Sequence, residues 1–344
     1  MALDLQLLPV LPIGARDQDI MVAALNMGGP KDIASVEPFL RKLFNDRLII
    51  RFPFAQSLFA DLLIRSRLKD VQHRYGLIGG GSPILKSSLA QVDALGTELK
   101  KRGRNLDVQL SFNYSDPLPE EVIGIAKAKK KKYVLPLSLY PHFSQSTTAS
   151  NIFYLKQAAR KIYPELQFLS CLPYHLYDGY IQAFVDRIQE TLKPGESLDD
   201  FYLLFSAHGT PVYFVTEGDP YTFLVAQTVS RLTQQLGRQH QWAIAYQSDV
   251  GPIKWIKPTT PGTLKELGQK GIRKVIVVPI AFVSDHIETL CEIDMEYREE
   301  AEKNFGFTDY RMSKALECHP GFISALAGCA QASLNIKGHK NVFH

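Results

Sequence analysis

The stretch "RKVIVVPIAFVSDHIETLCEIDM", residues 273–295, passes from a basic pair through an unbroken apolar run, with a proline inside it, into an acid-rich helix start. An earlier stretch, "KKYVLPLSLYPHFSQSTTASNIFYL" at 131–155, has the same order of parts. A second pair, "QLSFNYSDPLPEEVI" (109–123) and "AIAYQSDVGPIKWIKP" (243–258), sets a strand before a Ser-Asp turn in both places. A pattern written twice predicts two similar α/β lobes, with a boundary near 165–175. Apolar runs without alternation predict strands covered on both faces, as in parallel sheets. Further runs of this kind are "IMVAALNM", "LDVQLSFN", "LQFLSCL", "FYLLFSA" and "WAIAYQS". They alternate with helical patterns such as "SSLAQVDALGTELKKR" and "TFLVAQTVSRLTQQLG", the rhythm of an α/β fold. The expected lobes are 18–168 and 169–335, with the C-terminal helix packing back on the first.

Composition narrows the function classes. The chain has 344 residues, is 45% hydrophobic and 22% charged, and carries a net charge of only +4. That is a globular composition with room for two domains, and nothing argues for a nucleic-acid groove. Four cysteines, Cys171, Cys291, Cys318 and Cys329, have no regular spacing, so neither a disulfide framework nor a structural zinc site is expected, and a reducing compartment fits. No apolar run reaches spanning length. The start "MALDLQLLPVLPIGARDQ" reads as a loose leader without a basic n-region. The lysine run at 127–132 reads as a solvated helix end.

In parallel α/β folds, ligands sit beyond the carboxyl ends of the strands. "LNMGGP" (25–30) follows the first strand, and "IGGGSP" (78–83) lies between helices; neither has phosphate-loop spacing. "FSAHGTP" (205–211) sets His208 directly after an apolar strand, a position that favours function over a structural histidine. Tyr221 in "TEGDPY" and Trp255 in "YQSDVGPIKWIKP" read as core or as walls for a flat apolar ligand.

The last strand opens onto Asp285, His286, Glu288, Glu292 and Glu296. For an α-helix starting near Ser284, residues four apart drift by about 40° per step, so Glu288, Glu292 and Glu296 form one stripe. Carboxylates held close raise one another's pKa values and share protons. Such a line suits carrying protons or a hard cation between solvent and a pocket. His208 and Glu288 offer one nitrogen and one oxygen ligand with no third partner at fixed spacing, which suits a metal in transit better than a resident one.

Taken together, "LNMGGP", "IGGGSP", "LYPHFSQSTTAS", "FSAHGTP", "GDPY", "YQSDVGPIKW" and "VPIAFVSDHIETLCEID" resemble the ferrochelatase family, in order from about Met21 to Ala332. The resemblance implies two Rossmann-like lobes with parallel sheets flanked by helices and a porphyrin cleft between them. It implies a lyase of haem and porphyrin biosynthesis that inserts Fe²⁺ into protoporphyrin IX and releases two protons, with coproporphyrin as the alternative substrate. It makes His208 the imidazole facing the ring nitrogens and Glu288 its opposite partner. Glu292 and Glu296 continue the acidic line outward with Asp285 and His286. Either His208 accepts the pyrrole protons while the acids deliver iron, or His208 and Glu288 bind iron first. Met27, Phe282, Tyr75 and Ser82 fall at porphyrin positions. Arg67 falls at a basic position able to pair with propionates. Tyr221 and Trp255 fall at aromatic positions of the family motifs. Residues 48–64, "LIIRFPFAQSLFADLLI", correspond to an apolar cleft lip able to rest on a membrane surface.

The resemblance implies iron as substrate, no permanent cofactor, and a cytoplasmic protein, with peripheral contact to the inner membrane face as a further expectation. Two departures stand out. Asn113 occupies a position where many relatives have Arg, and Gln145 one where cluster-bearing animal enzymes have Cys. A [2Fe–2S] cluster needs four ligands, and cysteines so scattered predict none. Two other classes share parts of the pattern: a cobalt or nickel chelatase on a related fold, and a tetrapyrrole carrier that would need no acidic line.

Overall fold

The protein is described by a computed structural model over residues 7, 10–52, 55–237, 241–248 and 253–335. Most of the predicted leader before residue 10, positions 53–54 of the lip, and 249–252 lie outside the described residues. Among the described residues the strands form two four-stranded sheets, parallel throughout. The first contains β1 (Ile20–Asn26), β2 (Asp107–Phe112), β3 (Tyr133–Ser138) and β4 (Gln167–Phe168) in the order β2-β1-β3-β4. The second contains β5 (Tyr202–His208), β6 (Trp242–Gln247), β7 (Lys274–Pro279) and β8 (Asp309–Met312) in the order β6-β5-β7-β8. The two orders are the same, so the repeat seen in the sequence is a repeat of topology. All seven residues of β1 are buried, as is β7 from Val275 to Pro279, which is why neither run alternates.

Helices cover the sheets. In the first half these are α1 (Val36–Asn45), α2 (Gln56–Leu77), α3 (Ile84–Lys101), α4 (Pro119–Ala128) and α5 (Ser150–Ile162). From the crossover onward they are α6 (Asp178–Gln189), α7 (Val212–Thr216), α8 (Tyr221–Leu236), α9 (Thr260–Gln269), α10 (Arg298–Asn304) and α11 (Pro320–Asn335). Among the described residues two segments are π-helical: Gln145–Ala149 after β3, and Glu288–Tyr297 after β7. These are equivalent places in the two repeats.

The strand prolines explain the short outer strands. Leu169 N–H donates to the Val134 carbonyl, the last bond between β3 and the β4 side. The next donor on that edge would be residue 136, and Pro136 has none. In β7 the Ser313 N–H bonds to the Val277 carbonyl, and the next donor position on that edge is Pro279. Pairing with the outer strand therefore stops at the same point in both lobes. "LQFLSCL" is thus a two-residue strand, shorter than expected. β8, "DYRM", carried no apolar run and was not predicted.

The lobes are joined closely. One core cluster runs through both, from Val22 and Leu137 to Phe205 and Val278. α11 packs against α6 and against α3 of the first lobe, with Arg102 donating to Ser324 Oγ at 2.7 Å. At the α6–α11 crossing a Cβ added to Gly179 would lie 2.6 Å from the Gly321 carbonyl oxygen, and one on Gly321 would lie 2.5 Å from that of Gly179. Only two glycines permit so close an approach.

Candidate active site in the cleft between the lobes

The carboxyl ends of both sheets open onto one cleft of about 720 Å³, within the usual range for small-molecule sites. The two glycine clusters build its floor. Ser82 N–H donates to the Pro30 carbonyl at 2.8 Å. A Cβ on Gly29 would lie 2.7 Å from Ser82 Cβ, and one on Gly81 would lie 2.3 Å from the Lys31 carbonyl oxygen. "LNMGGP" and "IGGGSP" are therefore two turns packed on each other, which accounts for their glycines without a phosphate.

His208 ends β5, and Glu288 opens the long π-helix. His208 Nδ1 and Glu288 Oε2 are hydrogen-bonded at 2.9 Å. His286 Nε2 lies 3.9 Å from the same oxygen, and Gln247 Nε2 donates to it at 3.4 Å. Gln247 is itself fixed by Ser206 Oγ, which donates to its Oε1 at 2.9 Å. The imidazole and carboxylate thus come from the same lobe and touch directly, rather than facing each other across the cleft.

The charges follow from this geometry. Burial pushes the Glu288 carboxyl up, but the His208 imidazole beside it, together with His286 and the Gln247 amide, holds it down at about 2. Burial pushes His208 down, and Glu288 more than offsets this, so the imidazole stays protonated above the ordinary histidine value of 6.5. His286 goes the other way, lowered by burial, which the Glu288 charge only partly opposes. Stabilisation from a raised imidazole is present below 6.5 and lost as pH rises through its folded value. Stabilisation from a depressed carboxyl is present above 4.5 and lost as pH falls toward 2. The pair contributes fully between pH 4.5 and 6.5.

The helix begins at Glu288, not near Ser284 as the α-helical reading expected, and its turns are wider. Residues four apart still fall close to one line on a π-helix, and Glu288, Glu292 and Glu296 all line the cleft. Glu292 accepts from Ser248 Oγ at 3.1 Å and from the Tyr297 hydroxyl. Burial, then the Glu288 charge, raises its pKa. Glu296 lies 3.1 Å from Arg74 of α2, which also pairs with Asp70 at 3.1 Å. Asp285 is a correction: it does not line the cleft. Its carboxylate accepts from Thr289 Oγ1 at 2.9 Å, so it leaves the acidic line.

Met27, Arg67, Tyr75, Ser82, Tyr221, Trp255, Phe282 and His286 line the same cleft. Phe282 packs on His286 with ring centroids 4.4 Å apart and meets His208 edge-on at 6.3 Å. Trp255 meets His208 edge-on from another side at 6.5 Å. Met27 is held by its N–H, which lies within bonding distance of the Tyr140 hydroxyl at 3.2 Å. Tyr140 donates to Asn26 Oδ1 at 2.8 Å. Asn113 joins this network through Asn151 at 2.9 Å instead of offering a cationic contact.

Sequence reasoning missed several supporting groups. Gln247 and Ser248 stand in a quoted motif, but their aim at Glu288 and Glu292 depends on pairing between distant segments. Asp219 of "GDPY" is buried and joins the lobes: its carboxylate accepts from Ser144 Oγ at 2.9 Å and Gln145 N–H at 2.7 Å. Arg51 of the lip pairs with Glu217 at 2.6 Å and lies over the Tyr213 ring, bridging to α7. Among the described residues no group of three or more His, Cys, Asp or Glu is arranged to hold a metal ion.

A family model described as ferrochelatase matches residues 20–334. The ferrochelatase of Synechocystis sp. (strain ATCC 27184 / PCC 6803 / Kazusa) is 42% identical, over 91% of this chain and 82% of its own. That of Synechococcus elongatus (strain ATCC 33912 / PCC 7942 / FACHB-805) is 41% identical with the same coverage. Among solved structures, SirB from Bacillus subtilis has a TM-score of 0.53 at 14% identity, covering 71% of this chain and 90% of its own. That likeness concerns the fold alone.

The His208–Glu288 bond has a direct spectroscopic consequence. In a nitrogen-15 NMR titration, assigned with His208→Asn, the His208 imidazole is expected to titrate above 6.5. In Glu288→Gln its midpoint should move down, because burial then meets less opposition. An unmoved midpoint would show that the carboxylate does not control the imidazole.

Proposed function

The chain belongs to the ferrochelatase family, and we propose that it inserts ferrous iron into protoporphyrin IX to give protohaem, with release of two protons. The observation that carries this reading is the His208–Glu288 pair at the head of an acidic line, inside a cleft walled by Met27, Phe282 and Trp255. Metallation must take two protons from ring nitrogens whose lone pairs lie in the ring plane. Buckling the ring exposes them, so a cleft that favours a bent macrocycle favours the transition state.

His208 Nδ1 is engaged by Glu288, so its Nε2 is the nitrogen left to meet a ring N–H. The neutral imidazole, present above its raised pKa, gives its Nδ1–H to Glu288 and is a stronger acceptor than a free one, because the cation formed is stabilised at once. This supports His208 as the proton acceptor rather than the first iron ligand. Glu292, which burial and the Glu288 charge make easier to protonate than an ordinary carboxyl, is suited to pass protons outward from Glu288 to Glu296. Weak nitrogen and oxygen donors make the iron easy to release, where thiolates would trap it. Arg67 at the cleft is the residue we assign to a propionate. Phe39, Leu43, Ile49 and Ile50 give one wall an apolar surface. That wall suits the vinyl-bearing side of protoporphyrin better than the four carboxylates of coproporphyrin.

A peripheral membrane contact is part of the proposal. Among the described residues no helix is long and apolar enough to cross a membrane. Leu58 and Leu62, four apart on α2 and within the lip, are 68% and 65% exposed. Two exposed leucines on α2, whose later residues Arg67, Val71 and Tyr75 line the cleft, suit shallow insertion, through which a lipophilic porphyrin could arrive. The protein should float with phospholipid vesicles, and a Leu58→Gln, Leu62→Gln double variant should float much less. Equal flotation of the two would remove this contact.

The catalytic roles are tested by substitution. His208→Ala should abolish metallation while porphyrin still binds, as read by quenching of porphyrin fluorescence. Glu288→Gln should lose about 100-fold or more in turnover, in the range of general-base losses. Glu292→Gln should lose less and Glu296→Gln least, because water substitutes more readily toward the surface. Near-wild-type turnover in His208→Ala, or equal turnover across the three glutamate variants, would reject this mechanism.

A further inference from the structure

Outside the cleft, two cysteines left unused by the reaction stand together. Cys171 Sγ, on the crossover that leaves β4 for the second lobe, lies 3.7 Å from Cys329 Sγ on α11. The cysteines are 158 residues apart in the chain. All four cysteines are free thiols. Cys329 is fully buried, and its S–H donates to the Leu172 carbonyl at 2.8 Å. Ser333 Oγ, one turn further along α11, lies 3.8 Å from Cys171 Sγ and accepts from Leu172 N–H at 2.9 Å. The crossover and the last helix are therefore held in register at the sulfurs. Cys171 itself is partly exposed, and neither cysteine lines the cleft.

We infer that Cys171 and Cys329 form a reversible redox site, closing to a disulfide that staples α11 to the interlobe crossover. The oxidant is a low-molecular-weight disulfide, R–S–S–R. Cys171 is the attacking group because it is the more exposed of the two, Cys329 being fully buried. The Cys171 sulfur displaces one RS⁻, which takes up the proton that Cys171 gave up, and a mixed disulfide remains. Cys329 then attacks the Cys171 sulfur, its proton passes to the second RS⁻, and two RSH leave. The protein is oxidised by two electrons, and R–S–S–R is reduced by two. Bond formation brings the sulfurs from 3.7 Å to the bonded distance of about 2.0 Å. The bond would close a loop of most of the second lobe, and large loops gain most from such a link in the chain-entropy picture.

The test treats the full-length native protein with glutathione disulfide, blocks remaining thiols with iodoacetamide, and reads the peptides by mass spectrometry. A Cys318→Ser background removes the exposed thiol. The expected result is a peptide pair linked through Cys171 and Cys329, reversed by dithiothreitol, with a melting temperature raised by about 3 °C or more. Cys329→Ser should stop at one glutathione on Cys171. Retention of both thiols, or a mixed disulfide on Cys171 that persists while Cys329 is present, would overturn the site. A linked pair with no rise in melting temperature would overturn the stapling role.

Discussion

The 2.9 Å bond between His208 Nδ1 and Glu288 Oε2 is the contact on which the site depends. It requires the last residue of β5 and the first residue of a π-helix after β7 to meet. β5 and β7 are neighbours in one parallel sheet, so their carboxyl ends open side by side. The wider turn of the π-helix then sends Glu292 and Glu296 along the cleft. Each acid has its own partner: Gln247 for Glu288, Ser248 and Tyr297 for Glu292, Arg74 for Glu296. The line therefore changes character from end to end. It is ionised and paired to imidazole inside, pushed toward the neutral acid in the middle, and neutralised by a guanidinium at the outer end.

A second constraint is that two lobes must hold one cleft at fixed width. Asp219 bonds across to Ser144 and Gln145, Gln91 of α3 donates to Ser284 Oγ at 2.8 Å, and α11 lies against helices of both lobes. Arg51 adds a bridge at the mouth. These contacts tie the two walls of the cleft to each other.

Much of this was legible in the chain. The repeat of a basic pair, an apolar strand, a proline and a polar start identified β3 and β7, and both lobes do share one strand order. Strand-end reasoning found His208, and four-residue spacing found the acidic stripe, because that spacing aligns side chains on an α- or a π-helix alike. The same ambiguity hid the helix type and its start, and it drew Asp285 into a line it does not join. Gln247, Tyr297 and Asp219 were not legible as partners, since each acts through a contact between segments far apart in sequence. The prolines were read as part of a motif, but their effect, ending the pairing with β4 and β8, appears only when the hydrogen-bond ladder is traced.

The central claim is that this cleft metallates protoporphyrin. It is tested most directly by anaerobic incubation of the purified protein with Fe²⁺ and protoporphyrin IX, or with coproporphyrin III, followed by absorbance. The prediction is loss of the free-porphyrin spectrum and appearance of haem with protoporphyrin, at a rate well above that with coproporphyrin and above the enzyme-free control. Haem formation no faster than the control, or a clear preference for coproporphyrin, would contradict it.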